Sequence, residues 1–422
     1  MQTSFNNENN QWARSSSNHN RWAMSSAPLR SVFSRIICSG SLRLIDANGN
    51  QYDFGDGKPP FVSMHIHNPR LHYKLVLNPE LYFGEAYMDG EIAIEKGSLK
   101  DFFTIFFQNM AVAPAHSWLK ILASLSYLRR PLQQLNTAQR SHKNVAHHYD
   151  LSVGFYDLFL DSERQYSCAY FETGTESLEE AQKKKMAHIL AKLLVEKKHH
   201  VLDIGCGWGG LSLYIARETG ARVTGITLSQ EQLLTARHAA HAQGLNGQVK
   251  FELLDYRHIE GPFDRIVSVG MFEHVGINNY RAFFGQMKSL LASDGVALLH
   301  SIGRAHGPSS TSPWIRKYIF PGGYTPALSE VLPHVERSGL YLTDMEILRL
   351  HYASTLKMWR ERFEKNRDQA PVPLTEKFCR MWEFYLTCSE TAFEKLGLNV
   401  FQMQLATRQE LVPLTRDYLL NR

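Results

Sequence analysis

The sequence predicts an α/β protein in two parts, a doubly wound, mostly parallel sheet from about residue 146 onward and a smaller α+β domain before it. Three observations carry this. From about His199, strand-like runs (201–204, 222–226, 249–254, 265–269, 296–300) alternate with helical ones (211–218, 230–242, 280–291), the pattern of a parallel sheet with helices on both faces. The first of those strands runs straight into a glycine-rich turn and then a helix. And 422 residues exceed what a single core usually accommodates.

The earlier part reads differently. Residues 1–26, rich in Asn, Ser and Gln, lack the basic start and apolar core of a secretory signal and are expected to be disordered. Leu29, Val32, Phe33, Ile36 and Ile37 recur at helical spacing, with Gly40 as a stop. A strand-like run at 42–45 leads into the turn Asp46-Ala47-Asn48-Gly49-Asn50. The domain continues through 71–77, the segment 84–90 and a very apolar helix around Phe102, Phe103, Ile105, Phe106 and Phe107. Its expected bounds are 27–130. An amphipathic stretch at 118–128 ends in Arg129-Arg130-Pro131, and the polar residues 131–145 are expected to be a linker to the second domain, 146–422.

Composition narrows the function. With 44% apolar and 21% charged residues and a mean hydropathy of -0.29, this is not a polytopic membrane protein. No apolar run approaches the roughly 18 residues of a spanning helix, so membrane contact is expected to be peripheral. A formal charge of +5 mildly favours an anionic surface, and without a basic stripe no nucleic-acid partner is expected. The five cysteines form no CxxC pair, which fits a reducing cytosol and indicates neither a disulfide framework nor a zinc cluster. The adjacent pair His147-His148 diverges on a strand or a helix alike, and no metal site is predicted.

The strongest chemical signal is Val201-Leu202-Asp203-Ile204-Gly205-Cys206-Gly207-Trp208-Gly209-Gly210. Glycines are needed where backbone approaches a ligand closely or takes positive φ, so a nucleotide-like cofactor is expected there. NAD is the immediate rival. Against it, the next strand ends Gly225-Ile226-Thr227 rather than in an acid at the ribose position, and an acid stands inside the first strand. That arrangement favours S-adenosylmethionine.

Five segments in order, Tyr166-Ser167-Cys168-Ala169-Tyr170, the glycine turn, Met271-Phe272-Glu273-His274-Val275-Gly276, Leu299-His300-Ser301-Ile302-Gly303 and Tyr318-Ile319-Phe320-Pro321-Gly322-Gly323, resemble the cyclopropane-fatty-acyl-phospholipid synthase family, which includes the mycolic acid cyclopropane synthases. The likeness runs from about Ala146 to the C-terminus. It implies a Rossmann-like S-adenosylmethionine-dependent methyltransferase domain behind a lipid-associated N-terminal domain, and an enzyme that converts the cis double bond of an unsaturated phospholipid acyl chain into a cyclopropane ring. It implies cofactor contacts at Tyr166, Ser167, Asp203, Gly205, Gly207, Gly209, Thr227, Gln232, Asp255 and Tyr256. It also implies a bicarbonate ion held by Cys168 and Ile302 through backbone and by Glu273, His300 and Tyr352 through side chains. A cytoplasmic enzyme, peripheral at the inner face of the phospholipid bilayer, and a homodimer go with it. After Tyr149-Asp150 the chain departs from the family's usual Gly-Asn, reading Leu151-Ser152-Val153-Gly154.

The residues themselves agree. Glu273 and His300 follow or end expected parallel strands, whose carboxyl ends are where such sheets bind ligands, so both are expected to face the pocket. A methyl cation adding to an alkene leaves a carbocation that must lose a proton before water reaches it, which requires a base and dryness. Tyr166, Tyr170, Phe171, Tyr318, Phe320 and Tyr324 offer aromatic faces to positive charge, and segments 314–324 and 358–363 are candidate walls of an acyl tunnel. The same fold and cofactor also serve a methyl-branching or amine-methylating enzyme and a non-catalytic lipid binder.

Overall fold

The computed structural model describes residues 25–112 and 152–419; the expected tail, the amphipathic stretch, the linker, the domain bounds at 130 and 146 and the His147-His148 pair lie outside the described residues. Helix α1 (Ala27–Ile36) buries Leu29, Phe33 and Ile36, as its spacing predicts. Strand β1 (Ser41–Ile45) turns at Asp46, whose carboxylate accepts from the Asn48 and Asn50 amides at 2.9 and 3.0 Å, into β2 (Gln51–Gly55). β3 (Phe61–Ile66) runs parallel to β1. Helices α2 (Leu71–Leu77) and α3 (Pro79–Met88), strand β4 (Ile92–Lys96) and helix α4 (Leu99–Val112) complete a four-stranded sheet in the order β2-β1-β3-β4.

The second unit begins with a helical turn, Val153–Tyr156, and helix α5 (Leu178–Leu193), opened by a capping box of Ser177 and Glu180. Then come β5 (His200–Ile204), α6 (Gly210–Thr219), β6 (Arg222–Thr227), α7 (Gln230–Ala242), β7 (Val249–Leu253), β8 (Phe263–Val269), α8 (Tyr280–Leu290) and β9 (Leu291–Arg304). These match the expected elements closely. Helices α9 (Pro313–Tyr318) and α10 (Leu328–Ser338), strand β10 (Tyr341–Ile347), helices α11 (His351–Asn366) and α12 (Glu376–Lys395) and strand β11 (Leu398–Ala406) follow. The seven-stranded sheet has the order β10-β11-β9-β8-β5-β6-β7. Its five expected strands are parallel; β11 is antiparallel to β9 and to β10.

The two units share a core. Phe83 stacks on Phe102 at 4.5 Å, and Phe103 meets Phe384 of α12 edge-on at 5.2 Å, which is why α4 is apolar around so much of its surface. Gly84 lies against the Trp314 indole, where a Cβ would come within 2.5 Å. The Trp314 N–H donates to the Met88 sulfur at 3.3 Å. Trp314, Trp359 and Phe363, members of the segments expected to wall an acyl tunnel, are fully enclosed.

Candidate active site

The site forms at the carboxyl ends of the parallel strands. After β5, the Gly205 and Cys206 amides both donate to the Ile226 carbonyl (2.9 and 3.0 Å), pinning the turn to β6. Gly205 and Gly207 take φ of +81 and +57°, a region costly for any residue with a Cβ. A cavity opens over this turn, lined by Tyr166, Ser167, Asp203, Gly205, Gly207, Thr227, Gln232, Asp255 and Tyr256. Nine of the ten residues expected to hold the cofactor are thereby brought together. Gly209 is the exception, because its missing Cβ makes room for Phe251, which one would approach to 2.6 Å; it serves the packing of α6 against β7.

Several of the polar lining residues are fixed by partners. Asp203 accepts from the Ser212 hydroxyl at 2.7 Å, and burial pushes its carboxyl up to about 6. Burial acts the same way on Asp255, but the Arg257 guanidinium, bound at 2.8 and 2.5 Å, holds its carboxyl below the ordinary value. Thr227 donates to Gln232 at 2.8 Å. Ser167 accepts from Lys185 at 2.9 Å, and Gln182 donates to the Ser167 carbonyl, also at 2.9 Å. Lys185 is fully buried, and desolvation lowers its ammonium to about 8.

The five residues expected around the anion are not among those that line this cavity. Cys168 and Glu273 adjoin residues that do line it, Ser167 and His274. Beyond β8, a 3-10 turn at Phe272–His274 turns Glu273 inward. There its Oε1 accepts from the Ile302 amide at 2.6 Å, while Oε2 is buried with no hydrogen-bond partner. Burial raises this carboxyl to about 7, against the pull of the Ile302 amide and of the nearby Ser301 hydroxyl, which itself donates to the Ile302 carbonyl at 3.2 Å. His300 is not at the end of its strand, since pairing with β11 carries β9 on to Arg304. Its ring is buried and pushed down to about 3, first by desolvation and then by Lys185 and Lys192. Cys168 is buried, and desolvation raises its thiol, which donates to the Ala169 carbonyl at 3.3 Å. The Ala169 amide donates to Thr355 at 3.0 Å, tying this segment to α11 one turn from Tyr352.

The aromatic residues divide. Tyr166 lies with its hydroxyl 3.0 Å from that of Tyr385 and its ring near Trp359. Phe320 packs on Tyr385 and His274. The others are engaged elsewhere: Tyr170 stacks between His188 and His351, Phe171 lies 6.1 Å from the His351 ring, Tyr318 donates to Glu85, and Tyr324 donates to Glu330. Sequence reasoning missed Lys185, Lys192, Ser212 and Gln402. Helical phase carried a signal for the lysines: Gln182, Lys185 and Lys192 share the buried face of α5 with Leu178, Ile189 and Leu193.

Comparison with known proteins agrees with this architecture. Residues 136–403 match the family model described as mycolic acid cyclopropane synthetase, and residues 31–115 match one described as a domain of unknown function. The chain is 36% identical over 370 residues to a probable fatty acid methyltransferase of Pseudomonas putida, covering 86% of this chain and 91% of that one. It is 34% identical over 350 residues to the cyclopropane-fatty-acyl-phospholipid synthase of Escherichia coli K12, covering 82% and 88%. Among solved structures, mycolic acid cyclopropane synthase CmaA1 complexed with SAH and CTAB superposes with a TM-score of 0.60 at 34% identity, over 63% of this chain and 98% of that one.

Proposed function

Because the chain belongs to the mycolic acid cyclopropane synthetase family, we propose that it transfers a one-carbon unit from S-adenosylmethionine to the cis double bond of an unsaturated phospholipid acyl chain and closes a cyclopropane ring, with bicarbonate as the base. Membership makes it an S-adenosylmethionine-dependent lipid methyltransferase. The phospholipid substrate draws on the Escherichia coli relative. One observation carries the finer reading: a buried carboxyl oxygen, Glu273 Oε2, without a hydrogen-bond partner, on a group raised to about 7. That oxygen suits a small oxyanion, since a half-protonated carboxyl can donate to it while Oε1 stays on the Ile302 amide.

Bound S-adenosylmethionine supplies an electrophilic methyl group, and bound bicarbonate a proton acceptor. The protein's part is binding, orientation and exclusion of water. In this reading Asp203, Asp255 and Tyr256 orient the donor, Glu273 and His300 donate to the anion, and Cys168, Ile302 and Tyr352 complete its surroundings. Tyr166, Tyr385, Phe320 and Trp359 keep the reacting carbons dry and offer ring faces to developing positive charge. The enzyme works peripherally at the cytoplasmic face of the bilayer, as a homodimer; no described helix is long and apolar enough to cross a membrane.

The test is mass spectrometry of acyl chains after incubating the protein with monounsaturated phospholipid vesicles and methyl-labelled donor, with and without bicarbonate. A gain of one CH2 that resists mild hydrogenation, and that depends on bicarbonate, is expected. Label in a methyl branch or in an amine head group would overturn the ring-forming assignment.

A further inference from the structure

Behind His300 lies a buried chain of polar groups that the reaction as assigned does not use. Lys192 of α5 and Gln402 of β11 are both fully enclosed. The Lys192 ammonium donates to the Gln402 Oε1 at 2.9 Å and to the Glu346 carboxylate of β10, which also binds His188 at 2.6 Å. An ammonium has no acceptor, so the oxygen end of the Gln402 amide must face Lys192. Its NH2 end is thereby turned to His300 Nδ1, at 3.2 Å. That amide nitrogen only donates, so Nδ1 accepts and the imidazole proton sits on Nε2. A second proton on Nδ1 would set donor against donor, and flipping the amide would set its NH2 against the ammonium.

We propose that Lys192 and Gln402 are positioning residues that lock His300 as a neutral imidazole carrying its proton on Nε2, so that it offers the bound anion one hydrogen bond and is barred from taking up the proton that the reaction releases. The charges around the ring act in the same direction. Lys185, Lys192 and His188 all disfavour an imidazolium, and only Glu346 opposes them. The functional half of the inference rests on the bicarbonate reading; the tautomer does not.

The experiment is 15N NMR of the full chain labelled at histidine, with the His300 resonances identified by their loss in H300N. The wild type is expected to show the Nε2–H pattern, unchanged between about pH 8 and about pH 5.5, where a free histidine would titrate. In Q402E the carboxylate accepts from both neighbours, so the single ring proton moves to Nδ1 and Nε2 no longer donates to the anion. The bicarbonate concentration for half-maximal rate then rises roughly tenfold or more, the effect expected of losing a hydrogen bond to a charged group, while KM for the donor stays within about twofold. Q402N, whose amide is one methylene too short to bridge Lys192 and His300, provides a second variant with the same expected rise. An Nδ1–H tautomer or a titrating His300 in the wild type overturns the inference, as does a Q402E protein whose tautomer moves without a change in rate. Should the wild-type rate prove independent of bicarbonate, the base assignment falls; the positioning role then stands on a roughly tenfold loss of kcat in Q402E and falls without it.

Discussion

Glu273→Gln separates the electrostatic cost of the site from its chemistry. The Glu273 carboxyl sits at about 7 in the folded protein against an ordinary 4.5, because burial penalises its charged form. Between those values the unfolded chain has released the proton and the folded chain still holds it, so folding takes up a proton and stability falls as pH rises. Below about 4.5 both states are protonated, and above about 7 both are ionised; the loss therefore develops across that window and then levels off. At about 1.4 kcal/mol per pH unit it amounts to about 3 kcal/mol. Glutamine keeps an oxygen for the Ile302 amide and does not titrate. Denaturant unfolding of both proteins from about pH 4.5 to about pH 8 is expected to show the variant gaining about 3 kcal/mol relative to wild type across the range. The proton linkage of Asp203, His274 and His300 between the folded and unfolded states is common to both proteins and cancels in the difference. A stability difference that does not change with pH, or that grows in the acid direction, would refute the argument.

Three further outcomes follow from the geometry. Gly209→Ala places a Cβ 2.6 Å from Phe251 at a φ of +88° and is expected to cost about 1–3 kcal/mol in denaturant unfolding. Asp203→Asn removes a buried charge from the cavity floor, and S-adenosylhomocysteine affinity measured by calorimetry is expected to fall by about tenfold or more. Gly84→Val drives a side chain into the Trp314 indole; the N-terminal unit should be cleaved away faster in limited proteolysis, with donor affinity unchanged.

Much of the fold was legible because its period is regular. The five parallel strands and the three helices between them stand out as apolar runs broken by turn residues, and α7 falls on the residues expected. β11 was not legible. It is buried along nearly its whole length, yet Gln402 and Gln404 interrupt its apolar pattern, so it reads as neither a buried strand nor an alternating one. Missing β11 also misplaced His300, which looked like a strand end and is flanked instead by a paired neighbour. The cofactor turn was legible because positive φ and close approach select glycine. Gly209 answers to the same rule for a different reason, the passage of Phe251, and no sequence pattern distinguishes a glycine that clears a ligand from one that clears a ring.

The residues that sequence reading missed share a physical character. Lys185, Lys192, Gln402 and Ser212 are polar groups enclosed by the fold, each bonded to an expected site residue or to a partner of one. A buried lysine is expensive, and neither of these two is needed to close a helix or to pair a strand. Each is held on one side by acceptors: Gln165 and Ser167 for Lys185, Glu346 and Gln402 for Lys192. Their charges act together on His300, so the cost is repaid as electrostatic order: an imidazole kept neutral at neutral pH. Replacing either lysine with methionine would remove the charge and keep the bulk, and the structure then requires the His300 ring to become easier to protonate.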